Sequence, residues 1–199
     1  MKKGKFIVFE GLDGAGQGTQ IALLERYLAS KKKNVYVTSE PTQNLIGGLI
    51  RSLLRHHWAL GNTGMQLLYS ADRAHHLEVE IEPIREKGHH VISGRYFFST
   101  IAFGSLNNDV SWLKAISAKF PNPDVTIFLK VAPKECIRRI NSGRPMTELF
   151  EKEKVLQKVY RTYLALVKDK KYKNVFVVDG TQTREAVARD IQKIIDLYI

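Results

Sequence analysis

Five short apolar runs alternate with longer segments of helical hydrophobic spacing along the 199-residue chain. Apolar and polar residues do not alternate within these runs, which is typical of strands buried on both faces of a parallel sheet. The five predicted strands are Lys5 to Glu10, Val35 to Thr38, His90 to Ser93, Val125 to Val131 and Val175 to Val178.

Between the strands, apolar side chains recur three or four residues apart, as on one face of an α-helix. The first such segment places Ile21, Leu24 and Leu28 on one face. Because strands alternate with helices, we predict a three-layer α/β fold with a five-stranded parallel sheet, in a single domain spanning residues 1–199. The other predicted helices run from about Leu45 to His57, Gly64 to Lys87, Pro133 to about Asn141, Glu148 to about Lys170, and onward from near Thr183.

The segment FEGLDGAGQGTQ, from Phe9 to Gln20, joins the first strand to the first helix. Gly11 and Gly16 have the spacing of a phosphate-binding loop, and a strand and a helix flank the loop as such a site requires. Glycines allow backbone N–H groups to turn toward phosphate oxygens, and the helix start adds a positive dipole. Gln17 stands where these loops carry lysine, but a cradle made of backbone does not depend on that side chain. The sequence therefore predicts a phosphate site.

Composition and charge narrow the class of protein. The formal charge of +11 favours anionic ligands such as nucleotides, nucleic acid or a membrane surface, although a generally lysine-rich composition gives the same value. The single cysteine, Cys136, excludes an internal disulfide and is expected to be buried. No signal-like segment precedes the first strand and no apolar run reaches about 18 residues, so we predict a cytoplasmic protein without membrane association.

Three pairs of adjacent histidines raise the question of a metal site: His56–His57, His75–His76 and His89–His90. Zinc ligands on a helix commonly lie three or four residues apart, so that they share one face. Adjacent side chains diverge on both helices and strands. We therefore expect no metal to be held directly by these side chains.

The glycine loop and five further segments resemble one enzyme family. GAGQGTQ is similar to the GAGKGTQ of nucleoside monophosphate kinases, and EGLDGAG is closer to thymidylate kinases, in which an aspartate lies inside the loop. SEPT, LLYSADRAHH, VISGRYFFSTIAF, NPDVTIFLKV and VVDGTQ follow in the family's order. Because these segments span almost the whole chain, the sequence resembles a thymidylate kinase, a P-loop enzyme that transfers a phosphoryl group from ATP to dTMP. The resemblance also implies Mg²⁺ with ATP, a short lid over about residues 141–150, and a homodimer.

The resemblance assigns the acceptor nucleotide to a second set of side chains. Arg51 and Arg95 would bind the acceptor phosphate, for which a forked guanidinium is suited. Tyr69 would stack on thymine, and Arg73, four residues later on the same helical face, would hydrogen-bond the base. Tyr69 and Phe103 could instead be ordinary aromatic residues of the core, and Arg51 and Arg95 could be surface residues exposed to solvent. The full set of predicted dTMP-binding residues is Asp13 (at the 3′-hydroxyl), Glu40, Arg51, Tyr69, Arg73, Arg95, Thr100 and Phe103, whose ring would exclude a 2′-hydroxyl.

On the donor side, the resemblance places ATP on the glycine loop and under the lid. Arg139 and Arg144 flank the NSG turn, although a merely basic surface loop is the alternative. The segment after this turn keeps only the FE of the family's DRFE, and DGTQ would pass near adenine. The predicted ATP-binding residues are Gly11, Asp13, Gly14, Ala15, Gly16, Gln17, Gly18, Thr19 (a possible Mg²⁺ contact), Arg139 and Arg144, and the predicted catalytic residues are Gln17, Arg95 and Arg144.

Two departures from the family pattern concern the transfer step. Gln17 replaces the lysine of the loop, and Gly94 replaces the acidic residue of the family's DR pair, which helps to hold Mg²⁺. Losing one preorganised electrostatic contact typically costs on the order of a hundred- to a thousandfold in rate. We therefore expect a thymidylate kinase that binds its substrates but transfers the phosphoryl group slowly.

Three alternatives stay open at the level of the sequence. The first is a non-catalytic nucleotide-binding relative of the family. The second is a deoxynucleoside kinase, in which Glu40 would act as the base for a 5′-hydroxyl; Arg51 and Arg95 argue against it, because a neutral nucleoside needs no phosphate clamp. The third is a general nucleic-acid binder, but no recognition motif supports it, and no nucleic-acid partner is expected.

Overall fold

The structure is a computed structural model that describes residues 2–143 and 153–199. Its five strands are all parallel and form one sheet in the order β2-β3-β1-β4-β5, which confirms the predicted α/β fold. The chain thus moves from the central β1 to one edge and later crosses to the other side of β1. The strands are β1 Phe6–Glu10, β2 Val35–Ser39, β3 His90–Gly94, β4 Val125–Lys130 and β5 Val175–Asp179.

Burial differs between the centre and the edges of the sheet. Every residue of β1 is buried, as are nearly all residues of β3 and β4, whereas β2 and β5 are partly exposed. The apolar runs follow from this arrangement, because helices cover both faces of a parallel sheet. In such sheets, ligands bind at the carboxyl ends of the strands, where the chain crosses over. Here that point lies at the end of β1.

Helices cover the sheet on two faces. One layer contains α1 and α9, which pack on each other, while α5 packs against α3, α6 and α8 elsewhere in the molecule. The described helices are α1 Gln17–Ser30, α2 Leu45–Leu54, α3 Asn62–His76, α4 Glu82–Glu86, α5 Phe97–Gly104, α6 Val110–Ser117, α7 Pro133–Gly143, α8 Glu153–Lys168 and α9 Arg184–Ile195.

Several helix predictions need correction. The helix expected to reach His57 ends at Leu54, and the helix expected from Gly64 to Lys87 contains a π-helical segment at Leu77–Ile81. The sequence pattern gave no sign of α5 or α6. Most side chains of α5 are buried, so the helix lacks the polar face from which a helix is normally recognised. The predicted start of α8 at Glu148 lies outside the described residues.

Cys136, on α7, is buried as expected, and burial raises the pKa of its thiol to about 12. Its backbone carbonyl packs against the glycine loop, as described below. Over residues 2–143 and 153–199, no helix is both long enough and apolar enough to cross a membrane.

Candidate active site

The glycine loop between β1 and α1 forms the wall of a large cavity. Gly14 and Gly16 have φ angles of 82° and 98°, in the left-handed region that favours glycine. At Gly14 a Cβ atom would also lie 2.6 Å from the carbonyl oxygen of Cys136, so α7 approaches the loop closely. The cavity encloses about 1020 Å³, and residues 12–21 contribute to its lining. The start of α1 therefore opens onto a space that suits a polyphosphate.

The side chain of Gln17 is turned onto its own loop. Its Nε2 donates to the carbonyl oxygen of Gly11 at 2.9 Å. The amide is thus occupied by the backbone and adds no charge to the cavity. A lysine at this position would bring a positive charge to the same wall, which glutamine cannot do.

A second, smaller cavity of about 90 Å³ adjoins the first. Asp13, Glu40 and Arg95 line both cavities, so the two spaces meet at these three side chains. Two ligands bound one in each cavity would face each other across them. An arrangement of this kind suits a transfer between two bound molecules, because catalysis of such a transfer depends mainly on positioning and on neutralising charge.

Arg95 is held firmly at this junction. Its Nη2 donates to Asp13 Oδ1 at 2.7 Å and its Nη1 to Ser99 Oγ at 2.9 Å. Its guanidinium carbon lies 5.0 Å from the centre of the Phe103 ring. Burial alone would lower the pKa of Arg95, but the negative charge of Asp13 raises it, so the cation persists at all physiological pH values. The φ angle of 70° is unusual for a residue with a side chain and marks local strain at this position.

Glu10, at the end of β1, supports the segment that carries Arg95. Its carboxylate accepts hydrogen bonds from the backbone N–H groups of Tyr96 and Ser99, and from the hydroxyls of Ser99 and Tyr163. Burial raises the pKa of Glu10 to about 7, against the opposing effect of the hydrogen bond from Ser99. Glu10 thus connects β1 to α8 and to the start of α5, where Tyr96 and Ser99 line the small cavity.

Arg73 lies at the inner wall of the smaller cavity and is only 1% exposed. Its Nε and Nη2 donate to Glu40 Oε2, and Nη2 also donates to Thr100 Oγ1 at 2.9 Å. His76 binds the other carboxylate oxygen of Glu40 and, through its second nitrogen, the hydroxyl of Thr38. Within the part of the chain that the structure describes, Arg73 Nη1 is buried without a hydrogen-bond partner. This network therefore holds one unused donor in a fixed position at the cavity.

Most of the predicted site residues come together. The large cavity is lined by eight of the predicted ATP-binding residues, namely Asp13, Gly14, Ala15, Gly16, Gln17, Gly18, Thr19 and Arg139. The small cavity is lined by seven of the predicted dTMP-binding residues, namely Asp13, Glu40, Tyr69, Arg73, Arg95, Thr100 and Phe103. Gly180 and Gln182 of the DGTQ segment also line the large cavity.

Three predicted residues stand apart. Gly11 is buried behind the loop and lines neither cavity. Arg51 also lines neither; its guanidinium donates to the backbone carbonyls of Pro41 and Thr42. Arg144 and most of the predicted lid lie outside the described residues.

Sequence reasoning missed several lining residues. Arg138 lines the large cavity, and Pro41, Leu54, Gln66, Tyr96 and Ser99 line the small one. The spacing of Gln66, Tyr69 and Arg73, at i, i+3 and i+7 on α3, is the one signal that was available, since it places all three on one face. Pro41 and Leu54 lie on other elements, and nothing local connects them to the site.

The acidic groups of the site are already engaged. Asp13 pairs with Arg95 and Glu40 with Arg73. Over the described residues, no cluster of three or more His, Cys, Asp or Glu side chains has the arrangement of a metal site. The exposed Thr19 at the large cavity is the remaining oxygen donor that the sequence suggested. These residues therefore fit a Mg²⁺ ion that arrives on nucleotide phosphates better than one held by a protein cage.

Comparison with known proteins agrees with this geometry. A family model described as thymidylate kinase matches residues 9–191. The chain is similar to a probable thymidylate kinase of Thermococcus gammatolerans, with 36% identity over 98% of each chain. It is also similar to thymidylate kinases of Thermosipho melanesiensis, with 35% identity over 98% of each chain, and of Plasmodium falciparum, with 34% identity over 96% of this chain and 90% of the other.

Proposed function

Since the chain belongs to the thymidylate kinase family, we propose that it transfers a phosphoryl group from ATP to dTMP. One observation carries this proposal: a phosphate-loop cavity and a smaller cavity with an aromatic wall meet at Asp13, Glu40 and Arg95. The donor nucleotide would occupy the first cavity and the acceptor the second. We place the reaction in the cytoplasm, as the sequence suggests.

On the donor side, backbone groups of the glycine loop would bind the phosphates of ATP. The loop N–H groups and the dipole of α1 would bind the phosphates whether or not residue 17 is charged. Arg139 donates a hydrogen bond to the carbonyl oxygen of Gly180, and both residues line the large cavity. Gly180 belongs to the DGTQ segment, which would pass near adenine. Mg²⁺ would come with ATP and neutralise phosphate charge, and Thr19, in the first turn of α1, would offer it a hydroxyl.

On the acceptor side, side chains provide the recognition. Tyr69 would stack on thymine, and the unused Nη1 of Arg73 would donate to the base carbonyl at position 4. Phe103 would pack on the sugar, Asp13 would contact its 3′-hydroxyl, and Arg95 would clamp the acceptor phosphate. Because Arg73 is already buried and hydrogen-bonded to Glu40 and Thr100, little ordering of this side chain would accompany dTMP binding.

We further propose that transfer is slow. Gln17 hydrogen-bonds Gly11 instead of supplying a cation, and Gly94 brings no carboxylate to the large cavity. Both positions lie on the donor side, and neither lines the small cavity. Fixed charges matter most in the transition state, where negative charge shifts among the phosphate oxygens. Rate should therefore suffer more than binding.

The deoxynucleoside kinase alternative gains no support. Glu40 would have to serve as a base, yet its two oxygens are engaged by Arg73 and His76. A coupled assay of ADP formation, with dTMP and thymidine supplied separately as alternative acceptors, tests this directly. The proposal predicts turnover with dTMP alone, whereas turnover with thymidine would favour the alternative. Calorimetry that gives equal affinity for dTMP and dGMP would contradict the acceptor assignment.

We also propose a homodimer, as the family resemblance suggests. Large apolar side chains are exposed on α2, on α3 and on the segment between them. Leu45 is 83% exposed, and the others are Leu49, Trp58, Leu60 and Leu67. Grouped apolar exposure of this kind is typical of an interaction surface. Light scattering after size exclusion should give twice the chain mass of 22.7 kDa, and Leu67→Glu should shift it toward the monomer.

A further inference from the structure

Gln66 combines two features that the thymidylate kinase proposal does not use. It lies on α3, one turn before Tyr69, lines the small cavity and is only 6% exposed. Its Oε1 is buried without a hydrogen-bond partner among the described residues. A buried acceptor without a partner is costly, and native structures usually satisfy such groups with protein, water or a ligand.

Gly104 makes room for this amide. A Cβ atom at Gly104 would lie 3.0 Å from both Cδ and Oε1 of Gln66, closer than such contacts normally are. The glycine on α5 therefore lets the amide of α3 lie against the helix that also carries Thr100 and Phe103. The position of Gln66 Oε1 therefore depends on both α3 and α5.

Two residues that line the small cavity have one unpartnered polar atom each among the described residues, a donor on Arg73 and an acceptor on Gln66, and one edge of a pyrimidine can present the matching groups. Arg73 Nη1 can only donate, so it requires an acceptor on the base. Thymine presents the O4 acceptor beside the N3–H donor, which Gln66 Oε1 can accept. Cytosine presents an amino group and a bare ring nitrogen at the same places, so Arg73 would face another donor.

We propose that Gln66 is a specificity-determining residue that accepts a hydrogen bond from N3–H of the acceptor base. The inference rests on the proposed function, because it takes dTMP as the acceptor. It adds to that function a second residue of α3, besides Arg73, that would hydrogen-bond the base. Together the two residues select a base with a carbonyl next to a ring N–H.

The test compares dTMP with its N3-methyl derivative, which keeps O4 but lacks the N3–H donor. Calorimetry on the full chain would give the ratio of the two dissociation constants. We expect the unmodified protein to favour dTMP by about 10- to 100-fold, because the methyl derivative leaves the buried acceptor unsatisfied. In Gln66→Met, which keeps the length of the side chain but removes its acceptor, we expect a ratio below about threefold.

Three further variants separate this role from a general effect on the cavity. Gly104→Ala should displace the Gln66 amide and give an intermediate ratio, which provides a second test if Gln66→Met folds poorly. Ser117→Ala removes another buried polar atom without a hydrogen-bond partner among the described residues, in a residue that lines neither cavity, and should leave the ratio unchanged. Thr100→Val removes the competing polar group near Arg73 and should keep most of the discrimination.

The possible results distinguish a failure of the role of Gln66 from a failure of the proposed function. If Gln66→Met binds dTMP but keeps the discrimination of the unmodified protein, the inference is wrong. Loss of discrimination in Thr100→Val alone would likewise assign the N3–H contact to Thr100 and overturn it. If the unmodified protein binds neither nucleotide, the proposed function itself fails, independently of Gln66.

Discussion

The two cavities of this protein differ in what they are made of. In the proposed function, the large cavity would bind phosphate through backbone N–H groups and a helix start, and Gln17 and Gly94 would leave it without two charges that the family pattern supplies. The small cavity is lined by side chains, among them the buried ion pair between Arg73 and Glu40. We therefore propose that dTMP binding and the rate of transfer depend on different parts of the chain. Variants of the two cavities test that separation, and a variant of Glu10 tests the residue that supports Arg95.

The largest effect is expected in the small cavity, at Arg73. Arg73→Ala removes the buried partner of Glu40, so the free energy of unfolding should fall by about 3–5 kcal/mol. The dissociation constant of dTMP should rise by the equivalent of about 1–3 kcal/mol, because a base carbonyl loses its donor. Denaturant titration and calorimetry measure the two effects. His75→Ala, an exposed change on the same helix, should alter neither. Unchanged dTMP affinity in a folded Arg73→Ala variant would refute the role of this side chain.

The next effect concerns the large cavity. Gln17→Lys together with Gly94→Asp should raise kcat by at least about a hundredfold and change KM for dTMP much less. A Cβ at residue 94 would lie 3.3 Å from Ile21 Cδ1, the end of a side chain that can shift slightly. Gln17→Lys alone should give part of the gain, and the two effects need not add.

Gln17→Met is the matched control for this pair, because it also removes the hydrogen bond to Gly11 but adds no charge. It should bring no increase in kcat. An increase equal to that of Gln17→Lys would show that releasing the loop carbonyl matters more than the cation. A fall in KM as large as the rise in kcat would mean that the two cavities are not separable.

The smallest effect lies at Glu10, at the end of β1. Its folded-state pKa of about 7 is above the ordinary value of 4.5, so the folded protein retains this proton more strongly than the unfolded chain. The corresponding stabilisation is complete below about pH 4.5 and is lost as the pH rises through about 7. Glu10→Gln should remove this dependence, which amounts to on the order of 1–3 kcal/mol between pH 5 and 8. Urea unfolding at both pH values checks it.

An exposed glutamate provides the comparison for Glu10. Glu185→Gln, on the surface of α9, should leave the difference in stability between pH 5 and 8 as it is in the unmodified protein. The same difference in Glu10→Gln as in the unmodified protein would show that Glu10 does not carry the titration.

Features that depend on neighbouring residues could be predicted from the sequence, whereas features that depend on distant residues could not. The sheet and the glycine loop could be predicted, because apolar runs and glycine spacing are local features. The resemblance supplied most side chains of the small cavity. Gln66 and Glu10 were missed because the burial of a polar side chain depends on distant partners, such as Gly104 and Tyr163. The left-handed φ of Arg95 has no signal in residue type.

The central claim, that binding is kept while transfer is slow, can be tested on the unmodified protein. Single-turnover formation of dTDP from ATP and saturating dTMP should be measured on the preparation in which calorimetry gives both dissociation constants. We predict that both nucleotides bind and that transfer is slower than about 1 s⁻¹. A rate within the usual kinase range of about 1–100 s⁻¹ would contradict the account and require another cation, such as Arg144, in place of the loop lysine.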